Sequence, residues 1–538
     1  MAKKCFQILL LWVLLLGVYT ALRSHTFLAS IVHDDGIFLY GGQAWASGYV
    51  PYRDFWDHKP PGIFFFHSLP FRLFPFSLFA VKFHQILWLA ATATLLLFFC
   101  RRYFSLFSSI LAVLLFVIYT SLPETIRTGG FTEEDALFFV ILGYWITARE
   151  QDRSLRVNSL LAGIALGIAY QFRQTFIVSA VFICFIMLHH WWNNLISRKT
   201  FIQSILSLAG GILLVEFIIS LYFLLMGAWY DYFEASYLFN FYYVGERPDR
   251  TWSEVLQIQW EFIQHTGPYL VAPLFALLTL FWLPANLRWM FGALLITYLF
   301  ELFAVALSGE YYEHYYVQPA VSMALFFALF FEGIYTRCQM LRAVGIPAKQ
   351  TILLSVHVLI SLTLLLVPLY WAGKEYYFDY FSILADRNNP EGVYAMQQSV
   401  AEAVQRFTTP EDTILLIGRM PNSVYIHSGR HAGSRYFHYT PLWKEKLFQS
   451  TEETHIEQFS QDLKERNPAL LLFDLTRMPP DEPLQRVQEF TPAILPYFQE
   501  HYAPLEEVFD LDPIELWFWY DIRLVIWARK DLAERHLP

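Results

Sequence analysis

The sequence contains few charged residues and few cysteines. Only 16% of its 538 residues are charged, whereas soluble domains usually carry about 25%. The four cysteines form no CxxC pattern, so neither a zinc site of that type nor a disulfide framework is supported. No GxGxxG and no Walker motif occurs in the sequence, and nucleotide binding is therefore unsupported as well. A large soluble protein is not the expected class.

Apolar sequence is abundant instead. Hydrophobic residues make up 56% of the chain and aromatic residues 19%, in stretches long enough to cross a hydrocarbon core of about 30 Å. Residues 6–22 follow Lys3 and Lys4 and predict an uncleaved first helix, with a cleaved signal peptide as the alternative. The sequence predicts a polytopic α-helical membrane protein with about eleven transmembrane helices, the others lying near 78–99, 105–120, 134–148, 157–171, 174–190, 203–226, 268–284, 289–307, 317–336 and 350–372.

The charges between these spans predict the orientation of the chain. With the N-terminus in the cytoplasm, an odd number of spans places residues 374–538 outside. From Lys374 onward the chain has 16 basic and 26 acidic residues, a balance that argues against nucleic-acid binding. Every predicted cytoplasmic loop is basic, as the positive-inside rule expects, through Arg101, Arg102, Arg149, Arg153, Arg156, Arg198, Lys199, Arg288, Arg337, Arg342 and Lys349.

The composition also predicts two domains. Residues 1–373 form the transmembrane domain, with long outside loops at 24–77 and 227–267 whose aromatic content predicts helices on the membrane surface. Residues 374–538 predict an extracytoplasmic α/β domain, because short apolar runs that resemble buried strands alternate with polar helical stretches. The strands are expected at 413–417, 469–473 and 524–528, and the helices at 391–407 and 455–466.

The first outside loop carries the residues that best suit chemistry. Asp34 and Asp35 follow the first predicted helix. A carboxylate there can orient or deprotonate an acceptor hydroxyl, or ligate a divalent cation such as Mg, Mn or Ca; the alternative is a helix-capping pair. Lys59 precedes the rigid Pro60–Pro61 pair and can pair with a lipid phosphate, although a lysine that snorkels to lipid headgroups is equally consistent.

Further residues follow a characteristic order around Asp34, Asp35 and Lys59. They are Gly36, Tyr40, Ala44, Gly48, Pro51, Tyr52, His58, Pro60 and Pro61. The whole pattern resembles the first outside loop of the GT-C glycosyltransferases, above all the protein O-mannosyltransferase and lipid A aminoarabinose transferase superfamily. Members of that superfamily have an Asp-Glu pair followed by Lys-Pro-Pro. Here Asp35 departs from the pair, and His58 stands where some relatives have an acidic residue.

Later segments resemble the same superfamily in the same order. Arg127 with residues 131–134, which include Glu133, is similar to the second outside loop, and residues 163–169 before Arg173 are similar to a Gly-rich helix that ends in a basic residue. The sequence His314-Tyr315-Tyr316-x-x-Pro319 is similar to the start of a late helix, and residues 434–437 and 527–530 are similar to parts of the C-terminal domain.

The resemblance implies a GT-C fold and an inverting transfer of a sugar from a polyprenyl-phosphate-linked donor to an acceptor hydroxyl. It implies that Asp34 acts as the catalytic group with support from Asp35, and that no nucleotide-sugar site is needed. The residues expected to bind the donor phosphate are Lys59, Arg173 and Arg127. The residues expected to bind substrate are Tyr40, His58, Glu133, His314 and Tyr315.

Individual residues and the whole chain also have other interpretations. Arg127 can be an interface anchor, His314 a structural histidine, and Tyr315 part of an aromatic belt. The alternative classes of protein are a polymerase or ligase of lipid-linked glycans, a transporter or flippase, and a sensor with an outside ligand-binding tail. Transporters keep their polar groups mid-membrane in broken helices, whereas here the polar groups cluster in the predicted outside loops. The expected location is the bacterial cytoplasmic membrane, with a glycan, lipid or protein as acceptor.

Overall fold

The computed structural model of the chain describes most of its residues. It describes all of them except residue 1, 32–33, 127, 149–154, 242–250, most of 252–271, 308–311, most of 345–375, 419–421, 439–451, most of 476–491, 512–521 and 537–538. Arg127 and nearly all of the predicted span at 350–372 therefore lie outside the described residues.

Helices occupy most of the first 344 residues. The α-helices are Ala2–Leu22, Asp34–Ala46, Gly62–Leu73, Leu78–Cys100, Leu106–Tyr119, Pro123–Ile126, Thr132–Thr147, Leu155–Tyr170, Ala180–Trp192, Arg198–Leu225, Trp229–Phe233, Ala272–Thr279, Arg288–Ala306 and Ala320–Val344. A π-helix covers Glu234–Leu238, and 3₁₀ turns include Ser24–Phe27, Gln174–Ser179 and Glu313–Val317.

Helices coincide with the predicted spans wherever the spans lie in the described residues. Among the described residues, five helical stretches are long and apolar enough to cross a membrane: Leu78–Cys100, Gln174–Trp192, Arg198–Leu225, Ala285–Ala306 and Ala320–Leu341. Shorter apolar helices cover Leu9–Leu22, Leu106–Tyr119, Leu155–Tyr170 and Ala272–Trp282. These helices support an integral membrane protein, while the count of eleven spans stays a prediction.

Two of the apolar helices approach backbone to backbone through glycine. A Cβ atom on Gly163 would lie 2.1 Å from the carbonyl oxygen of Leu208, and one on Gly211 would lie 2.2 Å from that of Leu160. Helices Leu155–Tyr170 and Arg198–Leu225 therefore approach as closely as they do only because these positions lack a side chain.

A mixed β-sheet forms in the C-terminal part of the chain. The strands are β1 (Thr413–Ile417), β2 (His431–Ala432), β3 (Leu470–Asp474), β4 (Tyr502–Leu511) and β5 (Ile522–Arg529), in the order β2-β1-β3-β5-β4. β1 pairs in parallel with β2 and β3, whereas β5 pairs antiparallel with β3 and β4. Helices of the same region are Val393–Phe407, Val424–Ser428, Glu452–Arg466, Leu495–His501 and Lys530–His536.

The three strands predicted from apolar runs are all present. β1 has the predicted bounds, β3 begins one residue later than 469, and β5 contains 524–528. β3 is buried along its whole length, which explains why its sequence is a continuous apolar run rather than an alternating one.

The described residues pack into two compact units. The first unit contains Met1–Ser24, Phe83–Ile219 and Pro248–Tyr380, and the second contains His25–Lys82, Ser220–Arg247 and Phe381–Pro538. Residues 25–77 of the predicted first outside loop thus pack with the β-sheet residues. The proposed division into residues 1–373 and 374–538, and the extracytoplasmic side of the latter, stay predictions.

Candidate functional site

The acidic pair of the first outside loop begins a helix in the second unit. Asp34 and Asp35 form the first turn of helix Asp34–Ala46, where the exposed N–H groups and the helix dipole favour negative charge. Asp35 is 1% exposed, whereas Asp34 is partly exposed. Of the two carboxylates, Asp34 is the one whose side chain remains accessible to another molecule.

Hydrogen bonds hold the loop that carries Lys59. Tyr52 adopts a positive φ of 70°, and its N–H donates to the carbonyl oxygen of Phe55 at 2.6 Å. The Tyr52 hydroxyl donates to the carbonyl oxygen of Lys59 at 2.8 Å. The N–H of Trp56 donates to the carbonyl oxygen of Arg435 at 2.8 Å, from a segment far along the chain. The backbone of Lys59 is therefore fixed by tertiary contacts as well as by the prolines that follow it.

Asp57 lies at the centre of this loop. Its side chain is 2% exposed, and one carboxylate oxygen accepts from the N–H of Lys59 at 2.7 Å. The other lies 3.4 Å from Nε2 of His438, and Nδ1 of His58 lies 4.0 Å from the first oxygen. Burial raises the pKa of Asp57, but the hydrogen bond from His438 and the charges of His58, His438 and Lys59 lower it to about 2. Asp57 is thus an ionised carboxylate.

The Lys59 ammonium extends away from that carboxylate towards an imidazole. Its Nζ lies 3.2 Å from Nε2 of His58, and both side chains are partly exposed. The His58 ring stacks on Phe239 with ring centroids 5.3 Å apart, and the His58 carbonyl oxygen accepts from Asn240 Nδ2 at 2.8 Å. The side-chain nitrogens of Lys59 and His58 are therefore fixed by neighbouring contacts and remain accessible to another molecule.

A chain of polar side chains continues from Trp56. Its indole Nε1 lies 3.3 Å from one carboxylate oxygen of Glu234, and the other oxygen of Glu234 lies 3.4 Å from Nε2 of His455. Nδ1 of His455 is hydrogen-bonded to the hydroxyl of Tyr436. No sequence pattern predicts that Glu234 and His455 meet, because they come from segments far apart in the chain. The only sequence signal for Asp57 was its position next to His58-Lys59.

Four residues predicted as site residues meet in the first unit. Arg173 forms an ion pair with Glu133, and its guanidinium carbon lies 3.6 Å from the centroid of the Tyr315 ring. His314 stacks on Phe131 at 4.1 Å and 14°, and its ring also lies 4.8 Å from that of Tyr315. We call Glu133, Arg173, His314 and Tyr315 the arginine cluster. A cation held over an aromatic face and beside a carboxylate is fixed in direction.

A second buried ion pair supports the arginine cluster through the next residue. Glu134 pairs with Arg23, and both side chains are nearly fully buried. Glu134 Oε2 accepts from the N–H groups of Gly130 and Phe131 at 2.7 and 3.2 Å, which caps helix Thr132–Thr147. Glu134 therefore sets where this helix begins, and so where Glu133 lies.

The remaining predicted residues have different surroundings. Tyr40 is 2% exposed; its hydroxyl accepts from the N–H of Ala432 at 2.7 Å, and its ring lies 4.5 Å from that of Phe437. The structure therefore places Tyr40 in the packing between helix and sheet. In the described part of the chain no group of three or more His, Cys, Asp or Glu residues is arranged to hold a metal ion.

Comparison with known proteins matches the resemblance read from the sequence. Residues 58–223 match the model of a family described as dolichyl-phosphate-mannose-protein mannosyltransferase. No curated protein matches the chain. Among solved structures, apo ArnT from Cupriavidus metallidurans is 13% identical with a TM-score of 0.55, each chain being covered to 98%. The same protein bound to undecaprenyl phosphate is 12% identical with a TM-score of 0.51, covering 96% of this chain and 97% of the other.

These similarities confirm the predicted resemblance to GT-C glycosyltransferases of the mannosyltransferase and ArnT type. The match in sequence begins at His58, within the Lys-Pro-Pro loop, and ends beyond Arg173. At 12–13% identity the solved structures show that the fold is similar.

Proposed function

We propose that this chain is an integral membrane glycosyltransferase that moves a sugar from a polyprenyl-phosphate-linked donor to an acceptor hydroxyl. The observation that carries most weight is the similarity of fold to ArnT along 98% of the chain, since a structure of that protein holds undecaprenyl phosphate. The match to a mannosyltransferase family at 58–223 supports the same reaction class. Similarity of fold by itself does not identify a reaction class, because one fold hosts many functions.

The acceptor hydroxyl attacks the anomeric carbon, and the bond from that carbon to the phosphate oxygen breaks. One direct displacement inverts the configuration, and the polyprenyl phosphate leaves with its electron pair. Asp34 takes or orients the proton of the acceptor hydroxyl, because it is the accessible carboxylate of the pair. Asp35, buried one residue further into the helix, positions Asp34.

Positive charge near the leaving phosphate stabilises the transition state. We assign this role to Lys59 and, as the family resemblance implies, to Arg173. Each is held by neighbours, Lys59 through its backbone bonds and Arg173 through Glu133 and Tyr315. Arg127 is proposed for the same role on the family resemblance alone.

The predicted substrate-binding residues have different proposed roles. His58 lies beside the Lys59 ammonium and can contact the same phosphate. Glu133, His314 and Tyr315 contact substrate as members of the arginine cluster. Tyr40 acts through packing, since its hydroxyl bonds to β2. A divalent metal at Asp34 and Asp35 is not required by this scheme.

The proposed site faces away from the cytoplasm of a bacterial membrane, because the first outside loop follows a helix whose N-terminal end is basic. A glycan, a lipid or a protein can supply the acceptor hydroxyl. A polymerase or ligase of lipid-linked glycans would use the same donor chemistry, so it differs only in the acceptor.

The donor is the element of the proposal to test first. Purified protein in detergent is incubated with a sugar-labelled polyprenyl phosphate and with extracted cell-envelope acceptors. We expect release of unlabelled polyprenyl phosphate and transfer of label to one acceptor class. Transfer from a nucleotide sugar in the absence of lipid would refute the proposal, and movement of the lipid across a vesicle without sugar transfer would favour a flippase.

A further inference from the structure

A cavity lies within the second unit, apart from the residues assigned to sugar transfer. Its volume is about 120 Å³, and a water molecule takes about 30 Å³ in the liquid. The walls come from residues 26–31, the first turns of helix Leu78–Cys100, and three helical segments of the C-terminal part, which carry Arg387, then Tyr394 and Gln397, then His427. Neither Asp34 nor Lys59 lines it. The cavity therefore has room for a group of several heavy atoms.

Two cationic side chains line this cavity. Lys82 is 4% exposed, and the guanidinium carbon of Arg387 lies 3.3 Å from the centroid of the Tyr394 ring, which fixes its direction. None of the described residues in the wall is acidic. Beside the wall, the Asp386 carboxylate accepts from the Ser30 hydroxyl at 2.8 Å and from a backbone N–H at 2.7 Å. The charge in the cavity wall favours an anion.

Two buried polar atoms of the wall have no hydrogen-bond partner among the described residues. They are Nε2 of His427 and Oε1 of Gln397, and Gln397 is 1% exposed. The Gln397 amide nitrogen donates to the Ile31 carbonyl oxygen, which directs its oxygen the other way. Nδ1 of His427 lies 3.2 Å from the amide nitrogen of Gln398; because that nitrogen donates, the proton of the neutral ring lies on Nε2. The cavity thus offers one further donor and one acceptor.

Burial and the nearby Arg387 lower the pKa of His427 to about 4, so its ring is neutral at physiological pH. Leaving buried polar atoms without a hydrogen-bond partner costs free energy. A ligand that supplies both an acceptor for His427 and a donor for Gln397 would remove that cost.

We infer that this cavity binds a phosphate ester with a neighbouring hydroxyl group. The phosphate oxygens accept from Lys82, Arg387 and His427, and charge-assisted bonds of this kind are among the stronger ones. The hydroxyl donates to Oε1 of Gln397. A lone carboxylate matches the cations but leaves the Gln397 oxygen without a donor.

The edge of the cavity favours a lipid as the source of this ester. Phe27 and Phe79 line it with ring centroids 5.5 Å apart, and Phe79 is 68% exposed. Apolar rings beside a cationic cavity suit a hydroxylated phospholipid headgroup whose acyl chain lies on the rings. A soluble phosphate ester would use the cavity without the rings. The inference does not depend on the proposed glycosyl transfer.

The test is a set of titrations of the full-length protein in non-ionic detergent. The ligands are short-chain phosphatidylglycerol, glycerol 3-phosphate, inorganic phosphate and short-chain phosphatidylcholine, which has a phosphate but no hydroxyl. We expect phosphatidylglycerol to bind most tightly, and Arg387→Gln to raise its Kd about tenfold or more, since the change removes a charge-assisted hydrogen bond to the phosphate. The matched control is Arg406→Gln, because Arg406 lies on the exposed face of helix Val393–Phe407 and does not line the cavity.

Each outcome decides the inference. Equal Kd values for Arg387→Gln and Arg406→Gln, or binding of phosphatidylcholine as tight as that of phosphatidylglycerol, would overturn it. If glycerol 3-phosphate binds as tightly as the lipid and Arg387→Gln weakens both, the site stands but its ligand is soluble. Should Arg387→Gln fail to fold, His427→Leu provides the test, since it removes the unmatched donor while leaving both cations; an unchanged Kd in that variant also overturns the inference.

Discussion

The two adjacent carboxylates of the first outside loop differ in exposure, and this difference makes their roles separable. Because Asp34 is accessible and Asp35 is buried, we expect Asp34→Asn to reduce turnover by about 10²–10⁴-fold. The measurement is single-turnover sugar transfer, with donor binding measured in parallel and expected to stay nearly unchanged.

Asp35→Asn is the matched comparison for that variant. It replaces a buried carboxylate and is expected to reduce the apparent Tm as well as turnover. If Asp34→Asn keeps nearly full turnover while Asp35→Asn loses it, the assignment within the pair is wrong. If both single variants and the double variant stay active, this loop has no catalytic role.

Lys59 is expected to act on the donor phosphate rather than on the proton. Lys59→Ala should raise the KM for the donor more than it lowers kcat, because ground state and transition state share the phosphate charge. The control is Arg53→Gln in the same loop, whose guanidinium already pairs with Asp54 at 2.8 Å. Equal effects of the two variants on KM would show that only the total charge of the loop matters.

His427 predicts a pH dependence of stability. Its pKa is lowered by burial and by Arg387 to about 4, from an ordinary value of 6.5. Between these two values the unfolded chain binds a proton that the folded chain does not. Stability contributed by the neutral ring is therefore present above pH 6.5 and is lost as the pH falls towards 4. The loss is about 3 kcal/mol, since one pKa unit corresponds to about 1.4 kcal/mol.

The measurement is the apparent Tm of ligand-free protein across this pH range, for the wild type and for His427→Leu. We expect the variant to lose less Tm on acidification. Parallel curves for the two proteins would show that another group causes the dependence.

At the scale of helices, glycine allows Leu155–Tyr170 and Arg198–Leu225 to approach each other closely. Gly211→Ala would place a Cβ 2.2 Å from the Leu160 carbonyl oxygen and 2.7 Å from the Ile164 nitrogen. Both atoms belong to the backbone and cannot rotate away, so the helices must separate. We expect a loss of about 1–3 kcal/mol, read as a lower Tm.

The neighbouring Gly210 is a nearly ideal control, because a Cβ there would meet nothing within 4 Å. Gly210→Ala should leave the Tm unchanged or raise it slightly, since alanine favours a helix by about 1 kcal/mol over glycine. A drop in Tm of the same size in both variants would mean that the helix contact is not responsible.

At the scale of the whole molecule, orientation in the membrane is the main prediction. We expect an alkaline phosphatase fusion after residue 400 to be active, because every predicted cytoplasmic loop is basic. A green fluorescent protein fusion at the same position should be dark when exported unfolded. The opposite pair of results would require an even number of spans and would place the β-sheet in the cytoplasm.

The sequence by itself determined the helices and much of the sheet. Apolar length located the helices at 78–100 and 198–225, and short apolar runs located β1 and β3. These features are local, because a helix or a buried strand depends on the residues within a few positions of it. The Lys59 loop was also identified, since its prolines and acidic neighbours are contiguous.

Only the tertiary structure decided which polar groups meet. Trp56 and Glu234 are 178 positions apart, and Arg173 reaches both Glu133 and Tyr315. No periodicity or spacing in the sequence encodes such a contact, because it depends on how distant segments pack. The cavity around Arg387 also depends on how distant segments pack. The side-chain oxygen of Gln397 has no hydrogen-bond partner among the described residues, because packing removes it from water without supplying a donor.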